Sequence, residues 1–388
     1  MGIENTIYYK ASEKLDTRWV RENSVSHIFS NGKGQIQLTN YVTEIGRSAF
    51  ENCKTITSII IPDSIKKVGE RAFARCGALS SIMIPNSVTE IDFAAFGDCG
   101  LESIIIPNSC KKIGDHAFSP CKNLRSVVVA NSVTEIAYLA FGGCSSLASI
   151  MVAKGNPKYD SRNNCNAIIE TSTNMLHTGC KNTVIPNSVK EIGWGAFTGS
   201  GLKSIVIPDS VTKIASNAFS ACKNLESIVI DKHNPRYDSR NNCNAIIETK
   251  TNVLLDGCKN TVIPNTVTKI GDGFFVCTGL TSIIIPNSVT EIGGAFYGCD
   301  NLESVVIPDS VKKISICAFQ CCSKLKTPIP KHLLVSSDTS SDNQSASSKN
   351  IGIHSSPCSP IESNSNSGGC LTAFIGILLF PIIILMLL

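Results

Sequence analysis

Thiols are the most numerous chemically reactive side chains in this sequence, and their spacing is regular. The chain of 388 residues contains 18 cysteines, and most of them recur at matching positions of a repeat. In a small secreted protein so many cysteines would indicate a disulfide framework. Recurrence at one slot instead favours small thiols packed in an interior. Cysteines at this slot, which follows a phenylalanine closely, are Cys53, Cys76, Cys99, Cys121, Cys144, Cys222, Cys277, Cys299 and Cys322.

Other uses of the cysteines can be weighed from their neighbours in the sequence. Zinc is disfavoured because no histidine accompanies the cysteine slot, and ligands in single file do not surround an ion. Disulfides between neighbouring repeats stay open at this level. Local bridges also stay open for Cys165 with Cys180 and for Cys243 with Cys258, two pairs that share the same spacing in the sequence.

No set of residues in the sequence is typical of a catalytic site. The 6 histidines share no position in the repeat, and no nucleophile elbow, phosphate-binding glycine loop or zinc-protease helix is present. The segment Asp160-Ser161-Arg162-Asn163-Asn164 lacks the glycine and the terminal glutamate of a calcium loop, which favours a hydrogen-bonded turn. We therefore expect a protein that is not an enzyme, with no catalytic residue, no metal site and no cofactor.

An Ala-Phe pair recurs along the chain at nearly constant spacing. One unit reads L-x-S-I-x-I-P-x-S-V-x-x-I-G-x-x-A-F-x-x-C. Most steps between successive phenylalanines are about 22 residues long, within the range of roughly 20–50 residues that is typical of solenoids, propellers and arrays. Two steps, from Phe141 and from Phe219, are more than twice as long. The phenylalanines are Phe50, Phe73, Phe96, Phe118, Phe141, Phe197, Phe219, Phe275, Phe296 and Phe319.

Each unit predicts a short strand followed by tight turns. Ile82 and Ile84 alternate as in a strand, so both side chains point to one face, and Pro85 ends the strand because it has no backbone N–H. The A-F-x-x-C segment predicts a single helical turn that inserts its phenylalanine into the interior. A unit of about 22 residues cannot bury a core alone. Stacked units shield one another, so the sequence predicts a solenoid with a parallel β-sheet and short helical turns, whose twelve strands run from residues 35–38 to Val305.

The two longer steps contain a second kind of unit. Residues 156–189 and 234–267 are copies of one 34-residue module that match at 28 positions. Each long step equals one ordinary step plus one module, so the module predicts one enlarged turn of the solenoid and not an inserted domain.

The repeated unit resembles the BspA-like leucine-rich repeat, also called the type-5 leucine-rich repeat, over roughly residues 35–327. The module sequence Y-D-S-R-N-N-C-N-A-I-I-E-T, which begins at Tyr159 and again at Tyr237, is similar to a variant turn of that family. The resemblance implies a leucine-rich-repeat solenoid. It also implies a surface-exposed protein of host-associated bacteria or mucosal protists that adheres to host or matrix proteins. A fold transfers on this basis, whereas a named ligand does not.

Strand parity predicts which side chains face the solvent. If Ile82 and Ile84 face inward, Ser81 and Met83 face outward, and a partner protein or a second copy would meet this face. Strand propensity alone is the competing explanation for the apolar column, because β-branched residues favour strands. The predicted apolar column is Ile60, Met83, Ile105, Val128, Met151, Val206, Val229, Ile284 and Val306, with Gln37 at its first position. The predicted serine column beside it is Ser58, Ser81, Ser103, Ser126, Ser149, Ser204, Ser227, Ser282 and Ser304.

Composition and the two termini complete the sequence-based prediction. Net charge is only +4, and no basic stripe with interleaved aromatics appears, which argues against nucleic acid as a partner. We predict an N-terminal cap at 1–34, repeats at 35–329, a disordered serine- and asparagine-rich stalk at 330–369 and a transmembrane segment at 370–388. The last of these segments contains no charged side chain.

The expected function follows from this organisation. A rod, a stalk and a membrane segment predict a membrane-anchored protein that binds other proteins, at the cell surface as an adhesin or receptor. The alternative is an intracellular, tail-anchored leucine-rich-repeat scaffold, since residues 1–40 contain no apolar run typical of an export signal.

Overall fold

The structure is a computed structural model that describes residues 5–272 and 279–335. Most of the predicted stalk and all of the predicted transmembrane segment lie outside the described residues, as do Phe275 and Cys277. Within the described parts of the chain, no helix combines the length and the apolar character that crossing a membrane requires.

The N-terminus forms an antiparallel cap on the repeats. Strand β1 (Thr6–Ala11) pairs with the first parallel strand on one side and with β3 (Lys33–Leu38) on the other, and β2 (Ser24–Ser30) lies outside β3. Helix α1 (Arg18–Asn23) connects β1 to β2. The prediction that residues 35–38 form the first parallel strand is therefore wrong. This segment is antiparallel because it forms a hairpin with β2, and β1 separates it from the repeats.

Beyond the cap, most repeats contribute two short strands, and strands of successive repeats pair in parallel. Strands that contain the S-I-x-I segment form four separately hydrogen-bonded groups, which we together call the front sheet. The shorter strands that follow form three such groups, which we together call the side sheet. The front sheet comprises β5 (Ile56–Ile60), β7 (Ser81–Met83), β9 (Ser103–Ile105), β11 (Ser126–Val129), β13 (Ser149–Val152), β18 (Ser204–Ile207), β20 (Ser227–Ile230), β25 (Ser282–Ile284) and β27 (Ser304–Val306). The side sheet comprises β4 (Glu44–Ile45), β6 (Lys67–Val68), β8 (Glu90–Ile91), β10 (Lys112–Ile113), β12 (Glu135–Ile136), β17 (Glu191–Ile192), β19 (Lys213–Ile214), β24 (Lys269–Ile270), β26 (Glu291–Ile292), β28 (Lys313–Ser315) and β29 (Leu334–Val335).

The A-F-x-x-C segment forms tight turns in place of the predicted helical turn. Ala94, which precedes Ala95 and Phe96, has a φ of 48°, in the left-handed region that interrupts a right-handed helix. As a result, the N–H of Phe96 donates to the carbonyl of Ala117 in the next repeat, at 2.8 Å. Backbone hydrogen bonds thus run along the solenoid axis. The same bond joins Phe50 to Ala72, Phe73 to Ala95, Phe118 to Ala140 and Phe197 to Ala218.

The phenylalanines of successive repeats stack face to face in the core. Phe96 lies between Phe73 and Phe118, with ring centroids 5.3 and 5.2 Å apart and the planes within 8° of parallel. Phe96 is fully buried. At the N-terminal end the column is closed by the ring of Trp19, which packs on Phe50 at 5.5 Å. Stacked rings of this size supply much of the apolar area that a single repeat lacks.

The cysteines of the repeat act as hydrogen-bond donors to the neighbouring turn. The thiol of Cys99 lies 2.8 Å from the carbonyl oxygen of Phe73, and the thiol of Cys121 lies 3.0 Å from that of Phe96. Burial raises the pKa of the Cys144 thiol to about 12. The interior position predicted for these thiols is confirmed, and the interaction that fixes them is a hydrogen bond to the preceding repeat. Free thiols in the described residues include Cys53, Cys76, Cys99, Cys110, Cys121, Cys144, Cys165, Cys180, Cys222, Cys243, Cys258 and Cys321.

The cysteines of the modules form no disulfide, whereas one cysteine near the C-terminal end of the repeats does. Cys165 and Cys180 are both free, and so are Cys243 and Cys258, so neither of the two local bridges is formed. Cys317 is disulfide-bonded.

Each 34-residue module is an enlarged turn, as predicted, and it adds an antiparallel hairpin to the side sheet. In the first module β15 (Ala167–Glu170) pairs with β14 (Tyr159–Asp160) and with β16 (Met175–Gly179), which then pairs in parallel with β17. The second module repeats this arrangement with β21 (Tyr237–Asp238), β22 (Ala245–Glu248) and β23 (Val253–Gly257). Short 3-10 turns occupy Arg162–Asn164, Arg240–Asn242 and, near the C-terminal end of the described repeats, Lys331–Leu333.

The hydrophobic core is divided at the modules. Strand β15 is buried on both faces: Ile168 packs into the core of the preceding repeats, whereas Ala167 and Ile169 pack into the core of the following ones. The second module separates the second core from a third in the same way, with Ile246 on one side and Ile247 on the other. A module therefore joins two blocks of repeats through one two-faced strand.

Removing one ring from the phenylalanine stack should destabilise the fold. We expect Phe96→Ala to cost about 3–5 kcal/mol of the free energy of unfolding, because it leaves a cavity between two stacked rings. Urea denaturation followed by circular dichroism measures the change. Phe93→Ala is the matched control, since Phe93 is an exposed ring of the same repeat and should cost below about 1 kcal/mol. Equal midpoints for the two variants would contradict the role of the stack.

Thiol reactivity should follow position in the fold. A small alkylating reagent should modify the exposed Cys321 in the native chain and leave Cys99, Cys121 and Cys222 unmodified, because buried thiols do not form thiolate. Peptide mass spectrometry reads each site. After unfolding in urea all four should react. Rapid modification of Cys99 in the native state would show that the interior is open.

Candidate functional site

The apolar column of the front sheet faces the solvent. Eight of its nine predicted apolar side chains are exposed, with 47–70% of their surface accessible, and Val128 is half-buried. Their sequence neighbours Ile59, Ile104 and Ile205 point into the core and are buried. The predicted parity of the strands is thus the parity observed. Exposed members are Ile60, Met83, Ile105, Met151, Val206, Val229, Ile284 and Val306.

Parallel register places like residues beside each other along this face. In the central group, Ile105 lies opposite Val128, which lies opposite Met151. The pairs Ile60 with Met83, Val206 with Val229, and Ile284 with Val306 are aligned in the same way. Neighbouring strands of a sheet lie about 4.8 Å apart, so each group is a continuous apolar strip.

The predicted serine column is aligned with the apolar one and precedes it on each strand. Ser103, Ser126 and Ser149 are opposite one another, and so are Ser204 and Ser227. Their exposure is uneven. Ser81 and Ser204 are exposed, while Ser103, Ser126, Ser149 and Ser227 are half-buried. The hydroxyls therefore form a narrower polar border along one side of the strip.

Two exposed valines at positions equivalent in sequence to the apolar column were missed by sequence analysis. Val184 and Val262 are exposed, and each stands two residues before a proline, as Val206 does before Pro208. They occupy the exits of the two modules. The signal available in the sequence is the Val-Ile-Pro motif, which also ends an ordinary repeat strand at Val206-Ile207-Pro208.

The N-terminal end of the column differs from the prediction. Gln37 does not lie beside Ile60; it pairs with Thr6 in the cap, and the Thr6 hydroxyl donates to its side-chain oxygen at 2.7 Å. The residue opposite Ile60 is Tyr8 of β1. The exposed Ile28 of β2 lies on the same face beyond Gln35. Sequence could not reveal this because the cap strands come from outside the repeat.

Charged side chains are concentrated on the side sheet, where they pair with one another. In every side strand from β4 to β28 the outward residue is glutamate or lysine. In the first five of these strands the charge alternates in sign from one strand to the next. The Lys112 ammonium lies 3.3 Å from Glu90, and Lys269 lies 2.7 Å from Glu291. Opposite charges at adjacent positions stabilise a sheet modestly. The side sheet is thereby close to neutral, and the uncharged strip lies on the front sheet.

The acidic loop of each module is closed by an arginine. The Arg162 guanidinium donates to both carboxylate oxygens of Asp160 and to the side-chain oxygen of Asn174. Asn163 and Asn174 have φ of 57° and 55°, which asparagine tolerates better than most residues. Because the guanidinium occupies the carboxylate, the segment is the predicted hydrogen-bonded turn. Across residues 5–272 and 279–335 no group of three His, Cys, Asp or Glu side chains is placed to hold a metal ion.

An aromatic cluster distinguishes the first module from the second. His177 is buried, stacks on Tyr138 at 5.7 Å and meets Tyr159 at 6.0 Å, and Tyr138 also touches Trp194 at 5.8 Å. Burial lowers the pKa of His177 to about 4, so its imidazole is neutral at physiological pH. The Nδ1 atom lies 2.9 Å from the Thr178 hydroxyl. Tyr159 belongs to the first core block, whereas the Tyr138 ring is exposed, so the cluster extends from that core to the surface.

The second module carries a different buried group at the neighbouring position. Asp256 corresponds to Thr178 and is buried, and one carboxylate oxygen accepts a hydrogen bond from the N–H of Gly257. Burial raises the pKa of Asp256 well above its usual range. Neither buried group lies in the exposed column.

Comparison with known proteins identifies the repeat. The family model described as the BspA type leucine-rich repeat region matches in six copies, over residues 43–169, 168–252 and 255–365. No curated protein matches the sequence.

Several solved structures are similar to the chain. One is a leucine-rich repeat protein from Eubacterium ventriosum, with 18% identity and a TM-score of 0.47, over 88% of this chain and 98% of that one. A leucine-rich cell surface protein from Faecalibacterium prausnitzii has 23% identity and a TM-score of 0.38, over 81% and 86% of the two chains. A leucine-rich repeat protein from Bacteroides ovatus has 26% identity and a TM-score of 0.37, over 77% and 84%.

The buried histidine should make stability depend on pH. Its folded-state pKa lies below its unfolded value, so the unfolded chain binds a proton first as the pH falls. The contribution of His177 to stability should therefore be complete above about pH 6.5 and fall by about 3 kcal/mol towards pH 4. His177→Leu, which installs the residue found at Leu255 in the other module, should flatten this slope in thermal melts between pH 4 and 7. His332→Leu changes an exposed histidine and should leave the slope unaltered. A slope that persists in His177→Leu would assign it to other groups.

Proposed function

Since the chain belongs to the family of BspA-type leucine-rich repeat proteins, as a match over most of its length establishes, we propose that it binds another protein through the apolar column of the front sheet. The observation that carries this proposal is the alignment of exposed Ile, Val and Met side chains across successive strands. Soluble proteins rarely leave a contiguous apolar strip exposed unless it contacts something.

Strand propensity alone accounts poorly for this column. Propensity would favour β-branched or aromatic residues at every exposed strand position. Met83 and Met151 are neither, and both are exposed. Methionine is flexible and polarisable, which suits an adaptable contact surface. The two methionines therefore favour selection for binding over selection for strand formation.

The proposed role is binding and not catalysis. The exposed column has no ionisable side chain, and the acids and bases of the side sheet neutralise each other. Catalysis generally needs titratable groups that converge in a cleft, and these features support a contact surface better than a reactive one. The serine border supplies hydroxyls for hydrogen bonds at the edge of such an interface.

The proposed setting is a cell surface, with the rod attached to a membrane through residues 370–388 and separated from it by a stalk. This segment has no charged side chain. As a helix that rises about 1.5 Å per residue, a segment of this length would span the hydrocarbon core of a bilayer. The partner proposed for this setting is a host or extracellular-matrix protein, as the family resemblance suggests.

A second candidate is an intracellular, tail-anchored scaffold that binds proteins through the same face. The observation in its favour is the large set of free thiols in the described residues, since free cysteines in such number are more usual in reducing compartments. Protease treatment of intact cells separates the two settings: a surface adhesin loses its repeats, and an intracellular scaffold keeps them.

Charge placed on the apolar column should abolish binding without unfolding the rod. For the double variant with Met151→Lys and Val206→Lys, we expect at least roughly tenfold weaker binding to purified extracellular-matrix proteins, measured by biolayer interferometry. The reason is that an interface would have to bury two lysine ammonium groups. Thermal melts should stay close to the wild type, since both side chains are exposed.

Two controls define this test. Thr134→Lys with Thr212→Lys adds the same charge at exposed positions directly before side strands, where other repeats already have lysine, and should bind normally. Ile205→Lys places the charge on the buried face and should unfold its block of repeats. Unchanged binding by the Met151→Lys, Val206→Lys variant would rule out this face.

A further inference from the structure

The two ends of the front sheet are finished differently. At the N-terminal end the cap strands extend the front sheet, in the order β2-β3-β1-β5-β7. Among the strands of residues 5–272 and 279–335, β2 is the outermost there and pairs with β3 on one side only. An outermost strand presents N–H and C=O groups to its open side, and natural proteins usually protect such an edge. The protection takes the form of charges, prolines, a bulge or a covering segment.

Hairpin geometry fixes which backbone groups face the open side of β2. The turn between β2 and β3 is the two-residue loop Asn31-Gly32, with φ of 49° and 73°. In such a hairpin the closing pair, Ser30 with Lys33, is hydrogen-bonded, and the pairs beyond it alternate. Phe29 with Gly34 and His27 with Ile36 are therefore the pairs without hydrogen bonds between β2 and β3. The backbone groups of Phe29 and His27 therefore point away from β3, towards the open edge.

The composition of β2 offers little protection against pairing. Its sequence, S-V-S-H-I-F-S, includes no proline, lysine, arginine, aspartate or glutamate. Val25 and Ile28 are both exposed. The inner side is fixed by the cap, since the Tyr9 hydroxyl lies 2.7 Å from Nε2 of His27 and the Tyr9 ring stacks on Phe29. The strand is thus held in an extended conformation, and its one irregularity lies at the start, between Ser24 and Ser26.

The C-terminal end of the front sheet is closed by contrast. Beyond β27, the N–H of Lys326 donates to the carbonyl of Glu303, and the N–H of Val305 donates to the Thr327 hydroxyl. Pro328 and Pro330 follow, and neither has an N–H to offer a further strand. A head-to-tail filament would require this end to accept β2, and the prolines oppose it.

We propose that β2 pairs in antiparallel fashion with β2 of a second copy of this chain, forming a head-to-head dimer. A twofold axis at His27 places each His27 opposite its counterpart and Phe29 opposite Val25 of the second copy. Antiparallel pairing of a strand with itself satisfies both edges with one symmetric set of hydrogen bonds. The prolines at the other end limit the assembly to two copies.

The side chains on the outer face fit the same arrangement. Ile28 lies on the face that carries Tyr8 and Ile60. In the dimer Ile28 lies beside Ser26 of the second copy and diagonally across from its Ile28, so both exposed side chains lose water contact. The two front sheets then form one continuous sheet. Two equal binding faces on one rigid body would increase avidity for a partner that displays repeated sites.

The test measures the mass of the full chain in solution and the amide hydrogen exchange of β2. Light scattering in detergent, corrected for bound detergent, should give twice the chain mass for the wild type. Ile28→Lys should give the single mass, because two lysines would lie diagonally across the axis, within repulsive distance of each other. Tyr41→Lys, a charge on an exposed residue outside the sheets, should remain a dimer.

Hydrogen exchange locates the contact and covers the case in which the variant fails to fold. In the wild type, peptides containing residues 24–30 should exchange more slowly as the protein concentration rises, by roughly tenfold or more across the dissociation range, while peptides of β5 should not change. Concentration-independent exchange of residues 24–30, a monomeric wild type or a dimeric Ile28→Lys would each overturn the proposal. The variant with Met151→Lys and Val206→Lys should stay dimeric, which separates this inference from the proposed binding face.

Discussion

Every repeat of this protein is too small to have an interior of its own, and the stacking of neighbours supplies one. The constraint is geometric: adjacent strands must lie about 4.8 Å apart, and a side chain in the core must tolerate an identical copy at nearly that distance. Phenylalanine meets the requirement by stacking in parallel planes, at 5.1–5.3 Å in the first block of repeats. Cysteine meets it by donating its S–H to the carbonyl of the preceding phenylalanine. The regular spacing of the sequence is a consequence of this constraint.

The modules show how far the constraint can be relaxed. Each inserts a hairpin where a single side strand would otherwise continue the stack, and each compensates for the interruption with a tyrosine. The Tyr159 hydroxyl accepts a hydrogen bond from the N–H of Ile136, which would otherwise meet the next side strand, and Tyr237 does the same for Ile214. The two-faced strand of the module then carries the core across the junction. The described repeats therefore consist of three core blocks joined by two similar seams, and the buried His177 and Asp256 lie at those seams.

Stacking also creates the surface on which the proposed function depends. Because the register is parallel, any side chain that points outward from one front strand is repeated on the next, so one exposed apolar position becomes a strip. The side sheet has no such apolar strip, because its outward residues are glutamate and lysine, and those on neighbouring strands form ion pairs. One face is thus left apolar and the other is neutralised, and this difference arises within a single repeated unit.

The sequence by itself determined the solenoid, the positions of the enlarged turns, the interior placement of the thiols and the parity of the front strands. Those features depend on the spacing of the repeats and on the alternation of apolar residues within a strand, and both can be counted directly in the sequence. The tertiary structure decided what depends on contacts between distant segments. Residues 35–38 resemble a repeat strand, yet the pairing of β1 with β5 makes them part of an antiparallel cap. The A-F-x-x-C segment suggests a helical turn, yet hydrogen bonds to the next repeat are available to its N–H groups and the turns adopt left-handed residues to reach them. Local preference specifies each unit, but the choice between alternatives of similar local energy is made by the neighbour that the unit packs against.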